Sequence, residues 1–179
     1  MLHAAIEIVQ PGDVLVVGVT SESTDGMFGD LLAVSCRAHG VQGLVIDAGV
    51  RDSAEITAMT FPIWSKAISA QGTVKNTAGC VNVPIVCAGM FVYPGDVIVG
   101  DQDGVVVVPR SNARDVVRLS EERIAKEQET RERLKNGQPT WRNPTEKRGK
   151  LVWYSPSIGS EPLVAEVVLE RVREAAQQG

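Results

Sequence analysis

The sequence is poor in residues that carry several common kinds of chemistry. It holds two histidines, His3 and His39, too far apart to form a local zinc signature. Its three cysteines, Cys36, Cys80 and Cys87, form no C-x-x-C pair and sit in apolar runs. Each reads as a buried thiol, and an odd, unpaired set suits a reducing, cytoplasmic setting. Aromatics make up 4% of the chain, which argues against a base-stacking platform. A net charge of −4 supplies no global field for nucleic acid. No apolar run approaches the roughly 20 residues needed to span a bilayer. The opening MLHAAIEIVQ carries Glu7 and no basic segment, so no secretory signal is expected. There is no G-x-G-x-x-G nucleotide loop.

What is present is ordinary material for a core and an unusual arrangement of charge. Apolar residues make up 44% of the chain and 22% are charged, a balance that supports one folded domain with an appendage. Residues 2–10 read as a short helix stopped by Pro11, and Val14 to Val19 as a strand too apolar to be half exposed. Residues 21–27 read as a loop, 29–39 as a helix ending near Gly40, and 43–48 (GLVIDA) as a buried strand. A short helix over 53–59 with Ser53 as its cap and a strand over 62–67 follow. From 81 to 108 the period changes to short β-branched runs separated by Gly and Pro at hairpin intervals. Gln10-Pro11-Gly12-Asp13-Val14 is echoed by Tyr93-Pro94-Gly95-Asp96-Val97, which suggests two strands launched by the same turn into a shared β layer. Ser111 is placed as the cap of a long helix over about 112–135, laced with i,i+4 charge pairs and stopped by Gly137 and Pro139. Residues 140–150 are basic, and Leu163, Val164, Val167, Val168 and Val172 share one face of a last helix. The tail from 138 reads as an appendage or oligomer arm.

The feature that points to function is a spacing. Gly29-Asp30-Leu31-Leu32-Ala33 opens the helix over 29–39, and Asp47-Ala48-Gly49-Val50-Arg51-Asp52 closes the strand that follows. A helix followed by a strand returns the chain to the level where the helix began. Asp30 and Arg51-Asp52 are therefore expected side by side. Two carboxylates and a guanidinium at one rim suit a divalent metal and an anionic substrate. Asp30 alone also reads as a helix N-cap, and Arg51 as a salt-bridge partner of Asp47 or Asp52.

The Gly-Asp-Leu-Leu-Ala segment, Asp30 separated by twenty residues from Arg51-Asp52, and the run from Pro94-Gly95-Asp96 to Gly100-Asp101-Gln102-Asp103-Gly104-Val105-Val106-Val107-Val108-Pro109 together resemble one family. It contains the class II 4-hydroxy-4-methyl-2-oxoglutarate / 4-carboxy-4-hydroxy-2-oxoadipate aldolases and the regulator of ribonuclease activity A, RraA. The resemblance covers residues 1–137, with 138–179 as an atypical appendage. Family members usually carry several dozen residues before the segment matching Met1, so the N-terminal part of the usual domain is expected to be missing.

The resemblance implies an α/β fold, a swivelling β/β/α sandwich with a long C-terminal helix. It also implies a homotrimer or homohexamer with sites between subunits, Mg²⁺ or Mn²⁺, release of pyruvate from a small oxo-acid, and oxaloacetate decarboxylation. Members without aldolase activity typically lack an aspartate at the position of Asp30. Asp52 is expected to ligate the metal, and Asp30 to hold a water of its shell or complete that shell. Arg51 is expected to donate to the keto oxygen or enolate. The Leu31 and Leu32 amides at the helix start are expected to bind the pyruvate carboxylate, with Gly29 allowing close approach. Glu127 is expected to enter a neighbour's site as a further metal ligand, or else to lie on a solvated helix face. Lys75 is expected at the distal carboxylate of the substrate, or else on the surface. Asp101 and Asp103 read as hairpin-turn residues, and His39 as a favourable charge at a helix end. A non-catalytic, ribonuclease-regulating binding protein is the competing reading, helped slightly by the basic Trp141–Lys150 stretch.

Overall fold

A computed structural model describes residues 1–73 and 78–138, together with the strand backbones of Thr145–Lys147 and Lys150–Val152. The chain divides into two units, Met1–Val116 and Val117–Gly179.

The first unit begins with helix α1 (Leu2–Ile8) and strand β1 (Val14–Val17). Strand β2 (Gly26–Phe28), helix α2 (Asp30–Ala38), strand β3 (Gly43–Val50), helix α3 (Ser53–Ala58) and strand β4 (Ile63–Ile68) follow. The four strands form one parallel sheet centred on β3, which pairs with β1, β2 and β4. Parallel neighbours need a crossover between them, and α2 and α3 supply two.

Alternation along β3 separates two faces. Leu44, Ile46, Ala48 and Val50 are buried with Ala33 and Cys36 of α2, Ile56 of α3, Phe28 and Phe61. Phe28 and Phe61 stack with ring centroids 6.3 Å apart. Burying a side chain the size of Phe28 or Leu44 contributes roughly 1.5–3 kcal/mol, so this helix-side cluster is the main source of the unit's stability. Helix α2 ends as its sequence suggests. Gly40 is left-handed (φ 79°), its N–H donates to Arg37 O, and the Val41 N–H donates to Cys36 O, the paired bonds of a Schellman stop.

The opposite face of β3 and β4 meets two hairpins. Strand β5 (Ile85–Cys87) pairs with β6 (Met90–Val92), and β7 (Val97–Gly100) with β8 (Val105–Val108), both antiparallel. Three side chains tie them to the sheet. Asp47 Oδ2 accepts from the Ala88 N–H at 3.1 Å, the Cys87 thiol donates to Val17 O at 3.5 Å, and Trp64 Nε1 donates to Asp101 O at 2.7 Å. Helices on one face and hairpins on the other give the β/β/α layering.

Several local expectations are corrected. β1 is half-buried along its length, with β3 as its one ladder partner among the described residues. β2 lies in what reads as a loop; three residues are too few to show a period. The two Pro-Gly-Asp turns are alike in detail, with Asp13 accepting from Gln10 N–H and Asp96 from Tyr93 N–H at 2.8 and 2.9 Å. They launch strands into different sheets, however, so the shared layer does not form. Cys80 is exposed, while Cys36 and Cys87 are buried. Its apolar neighbours belong to a surface segment and no strand forms around it. Asp52, not Ser53, is the N-cap residue of α3.

Arg110–Asn112 forms a single 3-10 turn, and helix α4 runs from Ala113 to Lys135. Ser111 Oγ bonds to Asn112 Oδ1 and does not cap the helix. Beyond Val116 the helix belongs to the second unit, where Arg118–Glu122 and Arg123–Glu127 are i,i+4 pairs at 2.7 Å. A left-handed Gly137 ends it. Thr145–Lys147 pairs antiparallel with Lys150–Val152 as strands β9 and β10. Pro139, Trp141, Trp153 and the apolar face from Leu163 to Val172 lie outside the described residues.

Candidate active site

The site is built where α2 starts and β3 ends. Gly29 is the N-cap of α2 in extended backbone, and its carbonyl accepts from the Ala33 N–H at 3.1 Å. Asp30 is thus the first helical residue, not the cap. A carboxylate there suits the positive end of the helix. Its Oδ1 accepts from the Leu31 N–H at 2.7 Å.

β3 delivers Arg51 and Asp52 to the same rim. The Asp30 N–H donates to Asp52 Oδ2 at 3.2 Å, and Arg51 Nε lies 3.5 Å from the same oxygen. Arg51 also donates from Nη1 to Gly26 O at 2.6 Å, and its backbone N–H donates to Phe28 O at 2.9 Å. Of the two partners expected for Arg51, the structure gives Asp52. Asp47 is engaged by Ala88 N–H and stands 3.9 Å from Lys66 Nζ. The side chains of Arg51 and Asp52 are 42% and 36% exposed, so their pairing is screened and contributes at most about 1 kcal/mol. Its value is in orientation.

Asp52 is left-handed, at φ 56° and ψ 39°. Asp tolerates this region better than most residues, but such a conformation persists where the surroundings enforce it, and it clusters at functional positions. Here the surroundings are α3, which Asp52 caps, and the α2 start, which its carboxylate binds. Gly29 completes the packing: a Cβ there would collide with Asp52 Oδ2 and lie 3.0 Å from Arg51 Nε. The close approach that Gly29 permits is therefore that of the Arg51-Asp52 side chains.

Gly29, Leu31, Leu32 and Arg51, with Gly72 and Thr73, are among the residues lining an open trough of about 1680 Å³. Lys75 lies outside the described residues. Glu127 belongs to the second unit, where its carboxylate accepts from Arg123 Nε at 2.7 Å.

As to metals, no group of three His, Cys, Asp or Glu side chains converges among the described residues. One or two carboxylates at an exposed rim match the way Mg²⁺ is commonly held, with several waters kept. The Asp30–Asp52 pair fits that pattern and does not form a closed cage.

Sequence reasoning missed Gly26, Trp64 and Lys66. Gly26 reads from sequence as half of an Asp25-Gly26 turn signal, which hides its place in a strand. Lys66 Nζ donates to Glu22 at 3.0 Å, and that bond, with Glu22 and Asp47 charge nearby, holds its pKa above the usual lysine range. Burial pushes the Cys36 thiol up to about 11. The Cys87 thiol is also raised, first by burial and then by the Asp47 charge.

Residues 1–107 match the family described as RraA-like, Aldolase/RraA. The chain belongs to this family. A Halalkalibacterium halodurans protein provisionally named 4-hydroxy-4-methyl-2-oxoglutarate aldolase is 36% identical over 123 residues, covering 69% of this chain and 58% of the relative. The chain thus spans little more than half the length of that RraA-like relative. A solved structure of an uncharacterized Pseudomonas syringae protein superimposes with a TM-score of 0.70 at 30% identity, over 75% of this chain and 68% of that one. The Streptomyces coelicolor protein RraAS2, described as an unusual member of the RNase ES inhibitor RraA family, gives 0.66 at 33% identity, over 74% and 68%. The RraA-like α/β architecture and the long C-terminal helix expected from sequence are those observed. No helix among the described residues is long and apolar enough to cross a membrane.

Proposed function

We propose that this RraA-like chain is a divalent-metal-dependent aldolase. Its substrate is 4-hydroxy-4-methyl-2-oxoglutarate or 4-carboxy-4-hydroxy-2-oxoadipate, cleaved to pyruvate and a second oxo-acid, with oxaloacetate decarboxylation as a related activity. The observation that carries this reading is the Asp30 N–H to Asp52 carboxylate bond, which sets two acids and Arg51 at one rim.

Retro-aldol cleavage leaves an enolate whose oxygen must be stabilised. A bound Mg²⁺ or Mn²⁺ supplies a Lewis acid for that oxygen. Asp52 and Asp30 are the residues that would hold it. Arg51 keeps a permanent charge on a planar fork and donates to the keto oxygen as charge builds. The Leu31 and Leu32 amides take the pyruvate carboxylate, after the Asp30 carboxylate gives up the Leu31 N–H. Asp30, once released, holds the water through which the C4 hydroxyl proton passes to its carboxylate, and the same proton can be returned to the enolate carbon to give pyruvate. Lys75 and Glu127 are assigned to the distal carboxylate and to the metal of a neighbouring subunit. That assignment entails a homotrimer or homohexamer with sites between subunits, and the odd, unpaired set of cysteines favours a cytoplasmic setting for it.

The test is pyruvate release from 4-hydroxy-4-methyl-2-oxoglutarate with Mg²⁺, read through lactate dehydrogenase. Release should stop with EDTA and in Asp52→Ala. The likeness to RraAS2 favours a second reading, a ribonuclease-regulating binding protein. A folded, oligomeric sample that releases no pyruvate would support it.

A further inference from the structure

Gly26 lies outside the acid pair and touches Arg51, the cationic side chain at the rim among the described residues. Its carbonyl accepts from Arg51 Nη1 at 2.6 Å, and its N–H donates to Gln71 O at 2.8 Å. One residue therefore joins the guanidinium to the segment 69–73 that follows β4. Space around it is closed. A Cβ at Gly26 would overlap Ser69 O and lie 3.1 Å from Arg51 Cβ and 3.3 Å from Gln71 O. Its ladder partner Gly49 is equally tight, since a Cβ there would strike Thr24 O. The segment beyond is shaped by Ser69, whose Oγ accepts from the Gln71 N–H at 3.2 Å and whose own N–H donates to Val50 O at 2.9 Å.

We propose that Gly26 is a positioning residue for Arg51: its carbonyl fixes the plane of the guanidinium, and the segment 69–71 fixes Gly26. The physical need is plain. Arg51 is 42% exposed, and a side chain that long samples many rotamers unless held. The Asp52 contact at 3.5 Å is too long to be a strong hydrogen bond. The bond to Gly26 O is the short one, and it engages Nη1. Nη2 is left with no hydrogen-bond partner among the described residues. Arg51 and Gly72 both line the trough, and a shift of the segment 69–71 reaches the guanidinium through the Gly26 peptide unit.

This inference rests on the aldolase reading for its kinetic consequence but not for its geometry, and the experiment separates the two. Arginine side chains are labelled with ¹⁵N, and the Arg51 resonances are assigned by their loss in Arg51→Lys. Slow rotation of the Arg51 guanidinium is expected in the wild type and fast, averaged rotation in Gly26→Ala. On the aldolase reading, kcat for pyruvate release falls on the order of 100-fold in Gly26→Ala, the scale of a small misplacement of a catalytic group. The Mg²⁺ concentration for half-maximal activity stays unchanged. Ser69→Ala is the milder variant, with a loss of roughly 2–10-fold and partial averaging. Arg51 resonances unaltered in a folded Gly26→Ala protein overturn the proposal, as does an unaltered kcat. Should Gly26→Ala not fold, an unaltered Arg51 signal in Ser69→Ala overturns it instead. Averaged Arg51 signals in the variants of a protein that releases no pyruvate leave the clamp standing and remove the aldolase reading.

Discussion

The backbone N–H of Asp30 donates to the carboxylate of Asp52 at 3.2 Å, across 22 positions of sequence. One oxygen of Asp52 thereby satisfies a free donor at the start of α2 while its own backbone, left-handed, opens α3. The residue is shared between two helices, and the two halves of its role can be separated.

Replacing Asp52 by Ala removes the acceptor for Asp30 N–H and puts a less tolerant residue in the left-handed region. A loss of roughly 1–3 kcal/mol in urea unfolding is expected. Asn keeps an acceptor oxygen and is enriched at such φ values, so Asp52→Asn should stay within about 1 kcal/mol of wild type. On the aldolase reading both variants lose metal-dependent pyruvate release. An Asn variant as unstable as the Ala variant would show that backbone strain at Asp52 is not relieved by the amide side chain.

Gly29→Ala tests the packing from the other side. The added methyl meets Asp52 Oδ2 and Arg51, so the acid and the guanidinium must move or α2 must start elsewhere. Overpacking of this kind costs about 1–3 kcal/mol. The expected outcome is a lower urea midpoint together with a larger proportional fall in pyruvate release than the same substitution at Gly72, where added carbon meets nothing within 4 Å. Equal effects at the two glycines would dissociate Gly29 from the site.

The juxtaposition of Asp30 with Arg51-Asp52 was legible because it needs only local regularity. An apolar-faced helix with a glycine stop, then a continuous apolar strand, fixes where both ends lie. What escaped depends on partners far apart in sequence. Trp64 reaches Asp101 across 37 positions, and nothing in IWSKAI signals that the indole will donate to a hairpin carbonyl. Cys80 shows the converse failure, since apolar neighbours alone do not bury a residue when the segment forms no strand.

That hairpin contact yields its own prediction. Trp64→Phe keeps a ring near Gly100 but deletes the bond to Asp101 O, and should lower stability by about 1 kcal/mol. Gly100→Ala places a Cβ 2.6 Å from the indole ring and should cost more, about 1–3 kcal/mol. Thermal unfolding by far-UV circular dichroism would compare them, and the reverse order would mean that the ring shifts freely.

The cysteines give a pH signature. Burial raises the Cys36 thiol from 9.0 to about 11 in the folded chain, while the unfolded thiol titrates near its ordinary value. The folded state therefore holds its proton where the unfolded state has lost it. This contribution to stability is whole below pH 9 and is lost as the pH climbs toward 11. Urea midpoints measured from pH 8 to 10 should decline, and less steeply in Cys36→Ala. At pH 8 a thiol reagent should label Cys80 on the native protein and reach Cys36 and Cys87 only after unfolding, since those two are buried.

Gly29, Asp30, Arg51 and Asp52 come from one unbroken helix–strand passage, with Gly26 just ahead of it. Such a passage behaves as a cassette. Its register is locked, because sliding β3 by one residue against its neighbours would turn its buried side chains to the other face and carry Arg51 and Asp52 away from Asp30. Before Gly26 and after the hairpins the chain is free to vary in length without redrawing that contact, so divergence among relatives should fall there rather than between Asp30 and Asp52.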